Sequence, residues 1–216
     1  MSFTPDELEV NKAKKGTKNR DEKASQVSDR SLEDYCNMFG FEPEDLAGKK
    51  ILDVGSGRRE KFSKQAAEYG AEVFSISPTL AEKQSRREAQ SIYLIFRNPK
   101  WQRRSVAAQA QEIPFKDKSF DMVTALYSVP YYLERNAEDD DLESRDEYHQ
   151  ALKEMTRVLA DGGRLFMAPA YMFELSDEVI TWLEENGLSI TKSEHGVLEI
   201  TKNIVEDDEL LRPDKE

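Results

Sequence analysis

The sequence predicts an α/β protein, a doubly wound seven-stranded sheet that is mostly parallel with an antiparallel last strand. Three observations lead there. From residue 49 onward, short apolar runs of strand length alternate with segments whose apolar residues recur at helical spacing. The first such strand ends in Asp53-Val54-Gly55-Ser56-Gly57, a glycine turn that opens onto a helix. The last two strands are separated only by a short turn around Glu194-His195-Gly196, so they must run antiparallel to each other at or near an edge.

Each element has its own local reason. Residues 1–28 are polar, mixed in charge and nearly free of large apolar side chains, and read as a mobile charged extension. The domain proper is expected over 29–204. Ser31 is a good N-cap and Gly40 a usual helix stop. Leu32, Tyr35, Met38 and Phe39 between them share one face of a leading helix, expected to form part of a lid. Residues 49–54, KKILDV, read as a buried strand. A helix follows through Phe62, Ala66 and Tyr69 and stops at Gly70. AEVFSI, 71–76, is the second strand, and a helix starting near Pro78 runs past Ala89. SVAAQ, 105–109, is a weak third strand and SFDMVTALY, 119–127, a stronger fourth. Tyr148, Leu152, Met155 and Leu159 recur at helical spacing, and Asp161-Gly162-Gly163 should end that helix before a fifth strand, RLFMAP, 164–169. A helix capped at Ser176 or Asp177 presents Val179, Ile180 and Leu183 and stops at Gly187, ahead of the closing pair LSIT and GVLEITK. The acidic residues 205–216 form a frayed tail.

Composition narrows the chemistry. The chain has 216 residues, enough for a real core without staples. Its single cysteine, Cys36, excludes an internal disulfide and is expected to pack the leading helix. Two distant histidines, His149 and His195, make no metal site, and none is expected. The longest apolar run, 92–96, is far short of the ~18 residues of a membrane span, and a cytoplasmic protein without membrane contact is expected. A formal charge of -12 argues against general affinity for nucleic acid. The basic segment 83–104 with Trp101 is the exception, and reads either as a solvated helix or as an RNA-contacting edge. Residues 134–147 hold eight acids against Arg135 and Arg145, read as a solvated loop or as a field favouring a cationic substrate.

The segment 51–60, ILDVGSGRRE, bears the chemistry. Glycines let the backbone approach a ligand closely, the helix start offers free N–H groups, and ligands of parallel sheets sit at the strands' carboxyl ends. A nicotinamide fingerprint would want glycine where Glu60 stands and an acid at the end of the second strand, so that reading is disfavoured.

ILDVGSG, AEVFSISPTL, QAQEIPFKDKSFDMVTALYSV and ALKEMTRVLADGGRLFMAP, in this order over about residues 45–202, resemble the motifs of class I S-adenosylmethionine-dependent methyltransferases, and more narrowly the methyltransferase domain of type 11. The resemblance implies a Rossmann-like fold, S-adenosylmethionine as cofactor and methyl transfer to an unidentified small molecule or macromolecule. It implies that Asp53 lies near the methionine end and that Gly55, Ser56 and Gly57 form the turn. Ser77 falls at the ribose position, and Gln109 with the Ala110 N–H at the adenine position. Tyr127 and Ser128 line the methyl-transfer side. No catalytic residue is assigned, because alignment does most of the work when the nucleophile is already basic. Tyr131 and Tyr132 are the candidate substrate contacts, with loop packing as the alternative.

Three departures bear on activity. Arg59, beside Arg58, replaces the third glycine of the turn, and Ser77 and Gln109 replace two acids. These leave a second reading open, a non-catalytic methyltransferase-like module that has lost or weakened cofactor binding.

Overall fold

The computed structural model describes residues 30–57, 59–80, 104–129, 142–170, 175–192 and 196–204. Seven strands form one sheet: β1 (Lys50–Val54), β2 (Glu72–Ile76), β3 (Ser105–Val106), β4 (Phe120–Leu126), β5 (Leu159–Ala168), β6 (Leu188–Lys192) and β7 (Leu198–Lys202). Their order is β3-β2-β1-β4-β5-β7-β6. β3, β2, β1, β4 and β5 pair in parallel, and β7 pairs antiparallel to both β5 and β6. The last strand in sequence therefore lies inside the sheet, and β6 takes the edge.

Four helices are described: α1 (Leu32–Phe39), α2 (Lys61–Glu68), α3 (Leu142–Arg157) and α4 (Asp177–Glu185). The period-2 alternation of β1 explains the two-sided core. Leu52 and Val54 face a cluster with Val123, Ala125, Leu165 and Met167 of the neighbouring strands, Leu152 and Met155 of α3 and Leu183 of α4. Ile51 faces the other way, toward Val73, Met122 and Phe166 of the sheet, Tyr35 and Phe39 of α1 and Phe62 of α2. Each fully buried side chain of this size contributes roughly 1.5–3 kcal/mol.

The caps match their residues. Ser31 accepts from the Asp34 N–H while Asp34 accepts from the Ser31 N–H, a capping box, and Gly40 closes α1 at φ 72. Ser176 caps α4.

One boundary differs from expectation. Helix α3 ends at Arg157, and Leu159 already pairs with Phe120 as the first residue of β5. The pairing then jumps to Met122 with Arg164, so Asp161-Gly162-Gly163 forms a bulge inside the strand rather than a helix stop. The reason is competition for carbonyls. Val158 accepts from the Ser119 and Phe120 N–H groups, and the Lys202 ammonium takes the Thr156 and Leu159 carbonyls.

After β2 only the turn Pro78–Leu80 is described, so the helix expected past Ala89 and the basic segment up to residue 103 lie outside the described residues. So do 1–29, Arg58, Tyr131, Tyr132, most of the acidic segment, His195 and the tail. Among the described residues no helix is long and apolar enough to cross a membrane.

Candidate functional site

The candidate site lies at the carboxyl ends of β1, β2 and β4. β1 delivers Asp53 to a fully buried position, and the chain then turns through Gly55 and Gly57 at φ 82 and 69. Gly55 is required there twice over. Its φ favours glycine, and a β-carbon would lie 2.3 Å from Cβ of Ser128, at the end of β4. The turn thus brings Ser56 and Ser128 to the place where Asp53 ends.

Strand register makes a buried polar row that the sequence alone does not display. Ser105 pairs with Ser75, Ser75 with Asp53, and Asp53 with Thr124, at one level across four strands. These residues face the α1 and α2 side. The Glu60 carboxylate accepts from the Ser105 hydroxyl, Ser63 and Ser75 hydroxyls are 2.8 Å apart, and the Tyr35 phenol donates to Asp53 Oδ1 at 2.7 Å. Thr124 donates to the same oxygen at 3.3 Å. Tyr35 is held for this by stacking on Phe62, with ring centroids 3.9 Å apart.

Electrostatics follow from this burial. Desolvation pushes the Asp53 carboxyl up to about 7, against the lowering effect of the Tyr35 and Thr124 hydrogen bonds, and the nearby Glu60 charge adds to the rise. Burial, with the Asp53 charge beside it, raises the Tyr35 phenol well above its ordinary value, while the positive charge of Arg30 pulls the other way.

Four buried polar atoms have no hydrogen-bond partner among the described residues: Asp53 Oδ2, Ser56 Oγ, Ser128 Oγ and Arg30 Nε. Buried polar groups in native proteins are normally paired, so a cluster of orphans at one turn points to a polar ligand. Arg30 lies just before α1, with its guanidinium 4.4 Å from the Tyr127 ring centroid. Tyr127 itself turns off the end of β4 at φ 51, its N–H donating to the Ala168 carbonyl at 2.6 Å.

Of the other site residues expected from sequence, Ser77 follows β2, and Gln109 and Ala110 follow β3. Ser77 follows β2 directly, is buried, and donates its N–H to the Val106 carbonyl at 3.3 Å. Gln109 is exposed and Ala110 half-buried, in the segment leading to β4. An ionic clasp holds that segment. Arg157 donates to the Ile113 and Phe115 carbonyls at 3.0 and 2.9 Å and to Glu154 at 2.7 and 2.8 Å, while Glu154 accepts from the Ile113 N–H at 2.9 Å. The Arg157 hydrogen bonds hold the Glu154 carboxyl below its ordinary range.

Arg59 does not crowd the turn. Its side chain is exposed and its carbonyl accepts from Lys64 Nζ at 2.7 Å. The left-handed residue is instead Glu60, at φ 51, just before α2. Sequence reasoning weighed Glu60 only as a missing glycine, and missed Tyr35 and Arg30 as parts of the site. Tyr35 was legible as a core residue of α1; its reach to Asp53 depends on how α1 packs.

The donor set fits a sulfonium cofactor with an amino-acid head. A buried carboxyl, two hydroxyls without a partner and a glycine with no room for a β-carbon lie at one turn, and the Arg59 side chain is exposed. Ser77 and Gln109, the residues expected at the nucleoside, bring no charge. His149 is half-buried on α3 beside Tyr148, and Cys36 is half-buried against the core, its thiol pushed up by burial.

A family model described as a methyltransferase domain matches residues 52–167. The ubiquinone/menaquinone biosynthesis C-methyltransferase UbiE of Cronobacter sakazakii is 30% identical over 123 residues, 56% of this chain and 42% of that protein. UbiE of Rickettsia massiliae is 34% identical over 120 residues, 53% of this chain and 41% of that protein. The matched stretch is thus about two fifths of the length of these relatives. Among solved structures, the N-methyltransferase NodS from Bradyrhizobium japonicum, in complex with S-adenosyl-L-homocysteine, superposes with a TM-score of 0.51 at 16% identity, covering 84% of this chain and 91% of that one. At that identity the likeness is one of fold.

Proposed function

Because this chain belongs to the methyltransferase domain family, we propose that it transfers a methyl group from S-adenosylmethionine to an acceptor. The single observation behind this is the set of buried, partnerless polar atoms Asp53 Oδ2, Ser56 Oγ and Ser128 Oγ around the Gly55 turn. S-adenosylmethionine supplies an electrophilic methyl group on a sulfonium centre.

On this reading Asp53, Gly55, Ser56 and Gly57 hold the methionine side, Ser77 meets the ribose, and Gln109 with the Ala110 N–H meets the adenine. Tyr127 borders the transfer side, and Tyr131 and Tyr132 beyond it contact the acceptor. The protein's contribution is alignment and exclusion of water rather than proton transfer. The acceptor is not assigned.

A second reading, a non-catalytic module, draws support from Ser77 and Gln109, which leave the nucleoside without a charge-assisted hydrogen bond. Calorimetric titration of the full chain with S-adenosylmethionine and S-adenosylhomocysteine separates the two. Saturable binding of both supports the transferase. An absence of heat at millimolar ligand removes it and leaves the module.

A further inference from the structure

Resting on the methyl-donor reading, we propose that Glu60 is a positioning residue of the site. From the start of α2 it clamps the chain beyond the glycine turn to β3 and, as a second buried acid, sets the charge that Asp53 presents to the ligand.

Glu60 stands where α2 begins, yet its side chain makes no cap hydrogen bond. A polar side chain at that position ordinarily accepts from the helix's first N–H groups. Here the backbone takes a left-handed φ of 51, unfavourable for a residue with a β-carbon, and the carboxylate crosses to the Ser105 hydroxyl of β3. The residue is 1% exposed. Strain of this kind persists only where surrounding contacts impose it, and it gathers at functional sites. Lys64 completes the clamp. Its N–H donates to the Glu60 carbonyl at 3.1 Å, and its ammonium donates to the Arg59 carbonyl at 2.7 Å. The chain beyond Gly55 and Gly57 is thereby tied to β3, two strands away from β1 in the sheet.

The same placement brings two acids onto one buried row. Ser105, which holds Glu60, lies at the level of Ser75 and Asp53. The Glu60 charge reaches Asp53 and adds to the desolvation that pushes its carboxyl up to about 7. Tyr35 of α1 and Thr124 of β4 face Asp53 as donors, and the charges of Arg30 and Asp34 act on the Tyr35 phenol. A neutral Asp53 offers a cation little, so binding near neutrality must drive its proton off. Apparent affinity is then the intrinsic affinity reduced by the ionised fraction, and Glu60 governs that fraction.

Calorimetry of S-adenosylmethionine binding to the full chain, from about pH 6 to about pH 8, reads the effect. Glu60→Gln keeps the shape and an acceptor for Ser105 and removes the charge. For a fall of about one unit in the Asp53 value, the ratio of variant to wild-type affinity should be about fivefold higher near pH 6 than near pH 8. The ligand's own ammonium titrates alike in both proteins and cancels in the ratio. Glu60→Asp keeps the charge and shortens the reach, so its affinity should fall by one factor at every pH. A ratio for Glu60→Gln that does not change with pH, or one for Glu60→Asp that does, overturns the proposal and leaves the transferase reading intact. Carboxyl-carbon NMR of the ligand-free wild type tests the charge without a variant, should Glu60→Gln not fold. Glu60 should already be ionised where Asp53 titrates, and a Glu60 still protonated at about pH 7 overturns the proposal. No binding to the wild type at millimolar S-adenosylmethionine ends both.

Discussion

Tyr35 of α1 and Asp53 of β1 meet in a 2.7 Å hydrogen bond that ties the leading helix to the acid at the mouth of the glycine turn. Both residues are buried, at 2% and 0% exposure, so the proton they share is sensitive to the site's charge balance. That relationship gives the protein a pH dependence of definite sign.

Burial, reinforced by Glu60, lifts the Asp53 carboxyl from an ordinary value of 3.8 to about 7. The native state therefore binds this proton more tightly than the unfolded chain. The Asp53 contribution to stability is full below about pH 4 and is lost as pH rises through about 7. At ~1.4 kcal/mol per pKa unit, the loss is on the order of 4 kcal/mol as an upper bound. Asp53→Asn removes the titration. Urea unfolding should find the variant and wild type similar near pH 4, with the variant increasingly the more stable toward about pH 8. A difference that stays flat across this range would contradict the assignment.

Tyr35→Phe should behave in the complementary way. It keeps the stacking on Phe62 and deletes only the donor to Asp53. Where Asp53 is ionised the lost bond is to a charge, worth ~1.5–3 kcal/mol; where it is protonated, ~1 kcal/mol. The stability penalty should thus grow from acid to mildly alkaline pH. A constant penalty would mean that Tyr35 acts by packing alone.

The reach of the sequence is visible in these residues. Ser31, Gly40, Gly55 and Ser176 act through local geometry, so their roles as caps or turn were legible. The alternation of strand-length apolar runs with helical segments also announced a doubly wound sheet. The row Ser105-Ser75-Asp53-Thr124 was not legible, because it arises from pairing register between strands distant in sequence. The Asp161-Gly162-Gly163 bulge was misread as a helix stop for a similar reason. The same residues suit either role, and the pairing of Leu159 with Phe120 decides between them. Arg30 gave no pattern at all, since its place depends on Tyr127, a ring nearly a hundred positions later.

Gly55→Ala should be severe. The residue sits at φ 82, and the new β-carbon would lie 2.3 Å from Cβ of Ser128. Left-handed strain of ~1–2 kcal/mol adds to overpacking of ~1–3 kcal/mol, for a loss of about 2–5 kcal/mol. Thermal unfolding should register it as a drop of several degrees. Ligand binding should fall with it, because the relief must come from moving Ser128 or the turn.

Arg157→Met probes the clasp under Gln109 and Ala110. It strands the carbonyls of Ile113 and Phe115 and leaves Glu154 without its guanidinium. A loss of about 2–3 kcal/mol is expected for a half-exposed site with several charge-assisted bonds. The sign with pH is opposite to that of Asp53. Glu154 has a lowered carboxyl, so its stabilisation is present above about pH 4.5 and is lost in acid, and the penalty should shrink there. Hydrogen exchange at the Ile113 amide, bonded to Glu154 at 2.9 Å, should accelerate first.

Ser77→Asp tests whether the nucleoside end is weak for want of a charge. Ser77 is buried at the end of β2, on the same sheet face as Asp53. A carboxylate there adds a desolvated anion near Asp53, so the free variant should melt lower than wild type. Ribose hydroxyls would repay that cost by donating to the new acceptor, a bond worth ~1.5–3 kcal/mol or roughly tenfold or more in affinity. S-adenosylhomocysteine and 5′-methylthioadenosine share the ribose, so both should gain by the same factor in calorimetry. A gain for one ligand alone would place the substitution's effect away from the ribose. A loss for both would mean that the serine hydroxyl, not a missing charge, is what this pocket needs.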